Sequence, residues 1–213
     1  MHALKVSRVP SHNQSMPEPG LRHFIRVYDA DLDAPMCRQI VESFESLSRF
    51  HRTNGRGRAG FDHSAWTELN MTQLSDAAFL QFFRRKMNAA LVRYNADVAL
   101  PVAIPNSPES SALMIKRYRP TADEKFETHF DSIYDVSNRY LVFLWYLNDV
   151  AEGGETLFPS LDLRVQPRAG RLLMFPPYWP YPHAGLAPVS GDKYILSTYL
   201  LFGDRPGGVK SAE

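Results

Sequence analysis

Beyond residue 98 the chain consists of short runs rich in β-branched and aromatic residues, punctuated by Pro, Gly, Asn and Asp. None of these runs has the length or the period of a helix, and they recur at a spacing typical of barrels and sandwiches. The clearest runs are SALMIKRY, RYLVFLWYLND, LDLRVQP, RLLMFP and KYILSTYLLF. The pattern predicts an antiparallel β-sandwich or barrel in the C-terminal half.

The N-terminal half shows helical patterns after a first predicted strand and turn in residues 23–32. Asp33 is suited to cap a helix with Pro35 in its first turn, followed by an apolar stripe. A second stripe runs from Phe79 to Tyr94, with Ser75 or Asp76 at its start. These patterns predict two helices that support the C-terminal sheets.

Length and composition indicate one ordinary globular domain: the chain has 213 residues, of which 44% are hydrophobic and 22% charged. We expect a flexible arm over residues 1–22, the domain over 23–205 and a tail over 206–213. A net charge of +1 favours neither nucleic acid nor an anionic membrane as partner. No apolar run has membrane-spanning length and the N-terminus lacks a signal-peptide pattern. The single cysteine, Cys37, is interpreted as a packing residue and suits a reducing cytoplasm.

The segment KFETHFDSIY, residues 125–134, holds His129 and Asp131 with one residue between them. In an extended strand, residues two apart point to the same side. An imidazole and a carboxylate on one side supply two ligands of a metal site. Taken alone, this pair is a weak signal, because a histidine in a strand more often satisfies a local hydrogen bond.

The third ligand is predicted to be His183, the only other histidine in the β-rich region. The remaining candidates lie in the arm, at the first strand or beside a glycine-rich loop: His2, His12, His23, His51 and His63. Two histidines and one carboxylate on one face of a metal form the triad of non-haem Fe(II) oxygenases.

Lys193 follows His183 by ten residues and opens an apolar strand, with Ser197 farther along the same face. A lysine that points into a barrel is costly unless it is paired. A dicarboxylate cosubstrate would pair it, and the Ser197 hydroxyl would donate to the same carboxylate. The alternative is a lysine that faces outward, and alone that alternative would be preferred.

Together these features resemble the prolyl-4-hydroxylase-like branch of the Fe(II)/2-oxoglutarate dioxygenases. The resemblance is carried by YRPTADEKFETHFD, FLWYLNDVAEGGETLFP and PHAGLAPVSGDKYILSTYL, and it extends over about residues 24–202. It implies an α+β, mostly β fold, with a double-stranded β-helix (jelly-roll) core buttressed by the N-terminal helices.

The resemblance also implies roles for individual residues. His129, Asp131 and His183 would hold Fe(II), and Lys193 would bind the remote carboxylate of 2-oxoglutarate. Hydroxyl groups facing the cosubstrate are expected from two tyrosines and, on weaker grounds, from the serine already named. The members of this cosubstrate-binding set are Lys193, Tyr118, Tyr146 and Ser197.

Departures from the family pattern lie between the first tyrosine and the HxD pair. The usual glycine and second tyrosine are missing, Phe126 stands in the place of that tyrosine, and the segment is slightly longer. Because this wall lies near the substrate in relatives, the substrate remains open. The aromatic run Tyr178, Trp179 and Tyr181 is either a substrate platform or a plug, and the arginine-rich loop 49–61 is either a solvated loop or a substrate lid.

The predicted activity is hydroxylation of an unactivated C–H bond with Fe(II), 2-oxoglutarate and O₂, giving succinate and CO₂ as co-products. A prolyl residue of a peptide or protein is the family-based choice of substrate, and a free amino acid or small metabolite is the alternative. Nucleic-acid demethylation is disfavoured by the neutral charge. A non-catalytic metal-binding barrel, such as a cupin-like sugar-binding or zinc protein, is disfavoured because it leaves Lys193 without a partner.

Overall fold

The computed structural model describes residues 20–56, 62–106 and 109–203. The predicted tail, His2, His12 and the glycine-rich end of the 49–61 loop lie outside these ranges. Leu21 and Arg22, at the end of the predicted arm, lie in a 3-10 helix, and the Arg22 guanidinium donates hydrogen bonds to the carbonyl oxygens of Leu161 and Asp162. Within the described residues, no helix is both long and apolar enough to cross a bilayer.

Three α-helices precede the predicted β region: α1 (Ala34–Ser46), α2 (Met71–Leu74) and α3 (Ala77–Val98). The predicted caps are confirmed, since Asp33 accepts a hydrogen bond from Met36 N and Asp76 accepts one from Phe79 N. Short 3-10 helices occur at Leu21–Phe24, Ser48–Phe50, Pro120–Ala122, Tyr134–Val136 and Pro159–Leu161.

The strands form two antiparallel sheets. Their bounds are β1 (Arg26–Tyr28), β2 (Arg52–Gly55), β3 (Ala65–Asn70), β4 (Met114–Tyr118), β5 (Phe126–His129), β6 (Arg139–Tyr146), β7 (Thr156–Phe158), β8 (Leu163–Val165), β9 (Leu172–Phe175), β10 (His183–Gly185) and β11 (Lys193–Leu201). The large sheet has the order β1-β9-β6-β11-β4-β3-β2, and the small sheet has the order β5-β10-β7-β8. This mostly antiparallel architecture confirms the predicted jelly-roll core.

The prediction missed two strands of the N-terminal half, β2 and β3. Residues 52–55 were expected in a loop, but they pair with β3, which in turn pairs with β4. Their glycine- and asparagine-containing sequence has low strand propensity, and it becomes extended because the edge of the large sheet supplies hydrogen bonds. The N-terminal half therefore extends the large sheet as well as supporting it.

The large sheet separates two apolar cores. On one face, α1 and α3 pack against side chains of β6 and β11, and Cys37 lies in this core at 1% exposure. Burial raises the pKa of the Cys37 thiol, which agrees with its interpretation as a packing residue. The other core lies between the two sheets and includes Tyr118, Tyr146 and Tyr199. The candidate site opens from this second core.

Candidate active site

Three predicted ligands meet at one end of the space between the sheets. His129 is the last residue of β5, and it pairs directly with His183, the first residue of β10. Asp131 lies in the loop just beyond β5, and its own backbone amide donates a hydrogen bond to Pro177 O at 3.0 Å. The predicted same-side arrangement of His129 and Asp131 is therefore present, although only His129 lies in the strand.

Backbone contacts fix the orientation of both imidazoles. The Nδ1 atom of His129 lies 2.7 Å from Glu127 O, and that of His183 lies 3.1 Å from Tyr181 O. A carbonyl oxygen can only accept a hydrogen bond, so each Nδ1 must carry a hydrogen. In a neutral imidazole the Nε2 atom then presents a lone pair. The two Nε2 atoms lie 3.4 Å from opposite oxygens of Asp131.

The charges of these groups also suit a metal ligand set. Burial lowers the pKa of His183 to about 4, so its imidazole is neutral at pH 7. Burial by itself would raise the pKa of Asp131, but attraction to His183 and His129 outweighs it and holds the pKa well below the usual range. The cluster thus combines one carboxylate with two imidazoles, and the imidazole of His183 is neutral at pH 7.

The donor set fits a divalent iron. Atoms from His129, Asp131 and His183 all lie within 4.8 Å of one another. Two imidazole nitrogens and one carboxylate on one side leave the remaining positions of a metal open to small ligands. The geometry brings together all three predicted ligands, and their role in binding iron stays a prediction.

A β-bulge gives the site an aromatic wall that the sequence pattern did not indicate. Three residue steps of β5, from Phe126 to His129, oppose two steps of β10, from Gly185 to His183. Such an irregularity turns residues three apart toward the same side. The Phe126 ring consequently stacks on His129 at 3.6 Å between centroids, and Trp66 stacks on Phe126 at 4.5 Å.

Tyr199 is a site residue that the sequence interpretation missed. Its hydroxyl donates to Asp131 Oδ1 at 3.0 Å, and its ring lies 4.0 Å from the Arg139 guanidinium carbon. Tyr199 lies on β11 two residues beyond Ser197, so strand alternation places both on one face. That alternation was a signal available from the sequence.

Lys193 lies deep in the same cavity at 2% exposure. Its Nζ atom lies 5.3 Å from the Tyr118 ring centroid and 5.8 Å from that of Tyr146. It makes no hydrogen bond or ion pair with any residue that the structure describes. Burial lowers its pKa to about 7, aided by repulsion from Lys116 and opposed by Glu155. A ligand carboxylate beside Nζ would restore the charged form.

The other predicted cosubstrate contacts differ in position. Tyr118 is buried and lines the cavity, and burial raises the pKa of its hydroxyl, which therefore stays protonated. The Tyr146 hydroxyl instead donates to Thr156 Oγ1 at 2.7 Å, and it is Thr156 that lines the cavity. Ser197 lines the cavity about 13 Å along β11 from Lys193. The cosubstrate contacts of all four residues stay predictions.

The cavity itself lies between the two sheets. Its lining combines aromatic and aliphatic side chains with an equal number of polar and charged ones: Lys116, Tyr118, Phe126, His129, Asp131, Val142, Leu144, Thr156, Phe175, His183, Gly185, Lys193, Ile195, Ser197 and Tyr199. A concave, largely apolar site with convergent polar groups is the usual form of a small-molecule site. Lys116 is the second cation here, and the sequence interpretation did not include it.

The remaining aromatic candidates are divided between surface and interior. Trp179 is 74% exposed, whereas Tyr181 is buried and Tyr178 lies between these extremes. Tyr134, which follows the ligand loop, is 85% exposed. Trp179 is thus available to a substrate at the surface, and Tyr181 packs in the inter-sheet core.

Of the histidines set aside in the sequence, the three that lie in the described part of the chain do not join the cluster. His51 stacks on Phe44 at 4.0 Å, His23 lies 2.9 Å from Val98 O, and His63 is exposed. Of the 49–61 segment, residues 52–55 form β2 and residues 57–61 lie outside the described ranges. Its use as a lid stays a prediction.

Comparison with known families gives one match over the region that holds the site. Residues 113–201 match the model of the 2OG-Fe(II) oxygenase superfamily. A curated relative is "Probable prolyl 4-hydroxylase 9" of Arabidopsis thaliana, which is 28% identical over 203 residues, covering 78% of this chain and 65% of the relative. The chain therefore spans less than two-thirds of the length of that relative, and it spans about half the length of other curated prolyl 4-hydroxylases that it matches.

Solved structures share the fold at low sequence identity. A collagen prolyl hydroxylase of Paramecium Bursaria Chlorella virus-1, solved with 2OG, is 19% identical with a TM-score of 0.61, covering 83% of this chain and 94% of that one. A prolyl hydroxylase of Trichoplax adhaerens, solved with a hypoxia inducible factor peptide fragment, is 16% identical with a TM-score of 0.65 and covers 84% of each chain.

Proposed function

We propose that this chain, whose residues 113–201 belong to the 2OG-Fe(II) oxygenase superfamily, hydroxylates an unactivated C–H bond of a prolyl residue in a peptide or protein. The superfamily match confirms the resemblance found in the sequence, and Fe(II), 2-oxoglutarate and O₂ are the cofactors of that family. The observation that carries the proposal is one cavity with the His129–Asp131–His183 cluster at one end and an unpaired lysine inside it.

In this proposal His129, Asp131 and His183 hold Fe(II) through their Nε2 and carboxylate atoms. Fe(II) held by these residues would supply, together with 2-oxoglutarate and O₂, the oxidising power for C–H hydroxylation, with succinate and CO₂ as the co-products. The donation from Tyr199 to Asp131 holds the carboxylate in place, in the way that outer hydrogen bonds orient metal ligands.

Lys193 binds and orients the cosubstrate. In this proposal its desolvated ammonium donates a charge-assisted hydrogen bond to the remote carboxylate, and the protonated Tyr118 hydroxyl donates to the same group. The apolar side chains Val142, Leu144 and Phe175 line the cavity and exclude water from the reacting groups.

A peptide substrate is supported by the surface beside the metal cluster. The amides of Asp131 and Ser132 both donate to Pro177 O, and the exposed Tyr134 and Trp179 each lie two residues along the chain from this contact, after Ser132 and Pro177 respectively. Aromatic surfaces are a common way to bind proline-rich extended segments. Two similar proteins are named as prolyl hydroxylases, and one of them was solved with a peptide.

The free amino acid or small metabolite remains the second candidate, and the second lysine in the cavity favours it. A reducing cytoplasmic location is also part of the proposal, supported only by the single, buried Cys37.

The test is an anaerobic titration of the metal-free protein with Fe(II) and 2-oxoglutarate, recorded by visible absorption. We expect a metal-to-ligand charge-transfer band in the wild-type protein and in His63→Ala, which changes an exposed histidine, but not in His183→Ala. Proline-containing peptides are then screened for succinate release and for the gain of one oxygen atom by mass spectrometry.

Either step can contradict the proposal. Bound iron without a band would refute the cosubstrate assignment and leave a metal-binding barrel. A band with succinate release from amino acids but not from peptides would move the activity to the second candidate.

A further inference from the structure

Lys116 is a cavity residue that the proposed iron and cosubstrate chemistry does not use. It lies on β4 two residues before Tyr118, so both side chains point to the same face. Its Nζ atom lies 5.2 Å from the Trp66 ring centroid and 5.4 Å from that of Phe126. Because Phe126 stacks on His129, the ammonium group of Lys116 lies beside the metal cluster.

The ammonium has no ionic partner within the part of the chain that the structure describes. Its nearest attractive charges are Glu68 and Asp131, and neither forms an ion pair with it. Glu68 accepts instead from Asn54 Nδ2 and from Trp66 Nε1, at 3.0 and 2.7 Å. Asp131 accepts from Tyr199 and faces the two histidines.

Lys116 is partly exposed to solvent, and a partly buried cation without an ionic partner is unfavourable. Burial lowers the pKa of Lys116, with attraction to Glu68 and Asp131 opposing the shift. A hydrophobic residue would fill the wall beside Trp66 and Phe126 without that penalty. Cation–π contacts with the two rings offset part of it, and a ligand anion would offset the remainder.

The cosubstrate does not account for Lys116. In the register of β4 and β11, Lys193 lies opposite Tyr118 and Lys116 lies opposite Ile195, so the two lysines are about 7 Å apart along the strands. 2-Oxoglutarate has one remote carboxylate, which Lys193 takes in the proposed function, while its other end faces the metal. Lys116 is left to the molecule that is oxidised.

We infer that Lys116 binds a carboxylate of the primary substrate, close to the carbon that is hydroxylated. This inference rests on the proposed function and narrows it to a substrate class. A prolyl residue inside a neutral peptide has no carboxylate close to the carbon that is hydroxylated. The α-carboxylate of a free or C-terminal proline provides one, and so does an acidic side chain next to the target residue.

The test uses probe pairs that differ only in a carboxylate. One pair is N-acetylproline and its carboxamide, and the other is a capped prolyl peptide with Glu or Gln beside the proline. Binding to the protein with Fe(II) and 2-oxoglutarate is measured anaerobically by calorimetry, and turnover is measured in air. The variants are Lys116→Met, Lys116→Arg and, as a matched surface control, Lys125→Met, which removes a lysine paired with Asp123.

We expect the wild-type protein and Lys125→Met to bind the carboxylate member of at least one pair about 10-fold or more tightly. Lys116→Met should bind both members equally, and Lys116→Arg should restore the preference. The pair that shows the preference identifies the source of the carboxylate. 2-Oxoglutarate affinity should be unchanged in Lys116→Met.

Equal binding of both members of each pair by the wild-type protein would refute the inference, and so would a preference that persists in Lys116→Met. Loss of 2-oxoglutarate affinity in Lys116→Met would assign the residue to the cosubstrate instead. Failure of the proposed function has a different signature: a Lys116-dependent preference in binding without hydroxylation of any probe. That result would retain the carboxylate site and refute the prolyl activity.

Discussion

The two faces of the large sheet differ in what they bury: one is filled with apolar side chains, and the other lines a cavity that contains charged groups. On the helix side, β6 presents Phe143 and Trp145 to α3, and Phe83 packs on Trp145 at 5.4 Å between ring centroids. On the inner side, the alternate residues of β6 and β11 line the cavity that holds Lys193 and Lys116. Successive residues of one strand thus serve different purposes.

Because successive side chains of a strand point to opposite faces, the residues that stabilise the fold and the residues of the candidate site lie on different faces of the same strands. Closely packed aromatic and aliphatic side chains on the helix side contribute favourable burial. The inner side contains a buried carboxylate and two desolvated lysines, whose burial is unfavourable without ligands. The first face stabilises a fold in which the second face can keep reactive groups in place.

The largest expected effect comes from a cavity on the helix side. Phe143→Ala should lower the free energy of unfolding by about 3–5 kcal/mol, because Phe143 is fully buried among α3 and β6 side chains. Denaturant unfolding measures the loss. The protein that remains folded should keep the charge-transfer band. If Phe143→Ala instead removed the band while stability stayed unchanged, the separation of the two faces would be wrong.

A second prediction concerns Lys193 on the inner side. Lys193→Met should weaken 2-oxoglutarate binding about 10- to 100-fold, since it removes a charge-assisted hydrogen bond worth roughly 1.5–3 kcal/mol. Iron affinity, measured by competition with a chelator, should be unchanged. Loss of iron with retained 2-oxoglutarate binding would contradict the assignment of this lysine.

Because the pKa of Lys193 is lowered in the folded protein, the free energy of unfolding should depend on pH differently in the wild-type protein and in Lys193→Met. Below about pH 7 Lys193 is charged in the folded protein although it is desolvated, and its unfavourable contribution to the free energy of unfolding is then at its maximum. As pH rises from about 7 toward 10.5, the folded chain releases the proton while the unfolded chain keeps it, so this group increases the free energy of unfolding. Lys193→Met should lack this increase and should be more stable than the wild-type protein at pH 6. An identical pH profile for the two proteins would refute the shift.

The affinity for 2-oxoglutarate should also depend on pH through the charge of Lys193. The anion favours the charged lysine, so affinity should be highest below about pH 7 and should fall at higher pH as a proton must be taken up. Calorimetry in buffers of different ionisation enthalpy measures the proton uptake.

The smallest predicted effect compares two tyrosine hydroxyls. Tyr199→Phe removes a hydrogen bond to Asp131 on the inner side, and Tyr94→Phe removes one to Phe24 O, 2.6 Å long, on the helix side. Tyr199→Phe should weaken iron binding about 10-fold, with little change in stability. Tyr94→Phe should cost about 1 kcal/mol of stability and leave iron binding unchanged. Chelator competition and denaturant unfolding of both variants decide between these outcomes.

Strand alternation was enough to predict much of this site from the sequence. The spacing of His129 and Asp131 predicted that both side chains would face one point, and the distances of 3.4 Å between Asp131 and each imidazole agree with that. The same rule would have found Lys116, two residues before Tyr118, and Tyr199, two residues after Ser197. Neither residue stands at a position to which the family resemblance assigns a role.

Other features could not be obtained from the local pattern. Residues 52–55 became a strand only because β3 offers a partner, and the Phe126–His129 stack exists only because β5 has an extra residue relative to β10. The hydrogen bond from the Tyr146 hydroxyl to Thr156, which lines the cavity, likewise joins two strands. Register and side-chain order across strands depend on pairing between distant segments.

The sequence alone determined the periodicities, and therefore the mostly β fold, the two capped helices and the residue types of a two-histidine, one-carboxylate cluster. The tertiary structure decided which groups meet: His183 beside His129, Tyr199 on Asp131, and two lysines in one cavity. The physical reason is that alternation along a strand is a local property of the backbone. The neighbours of a side chain in a jelly roll come from strands dozens of residues away, and only the sheet register brings them together.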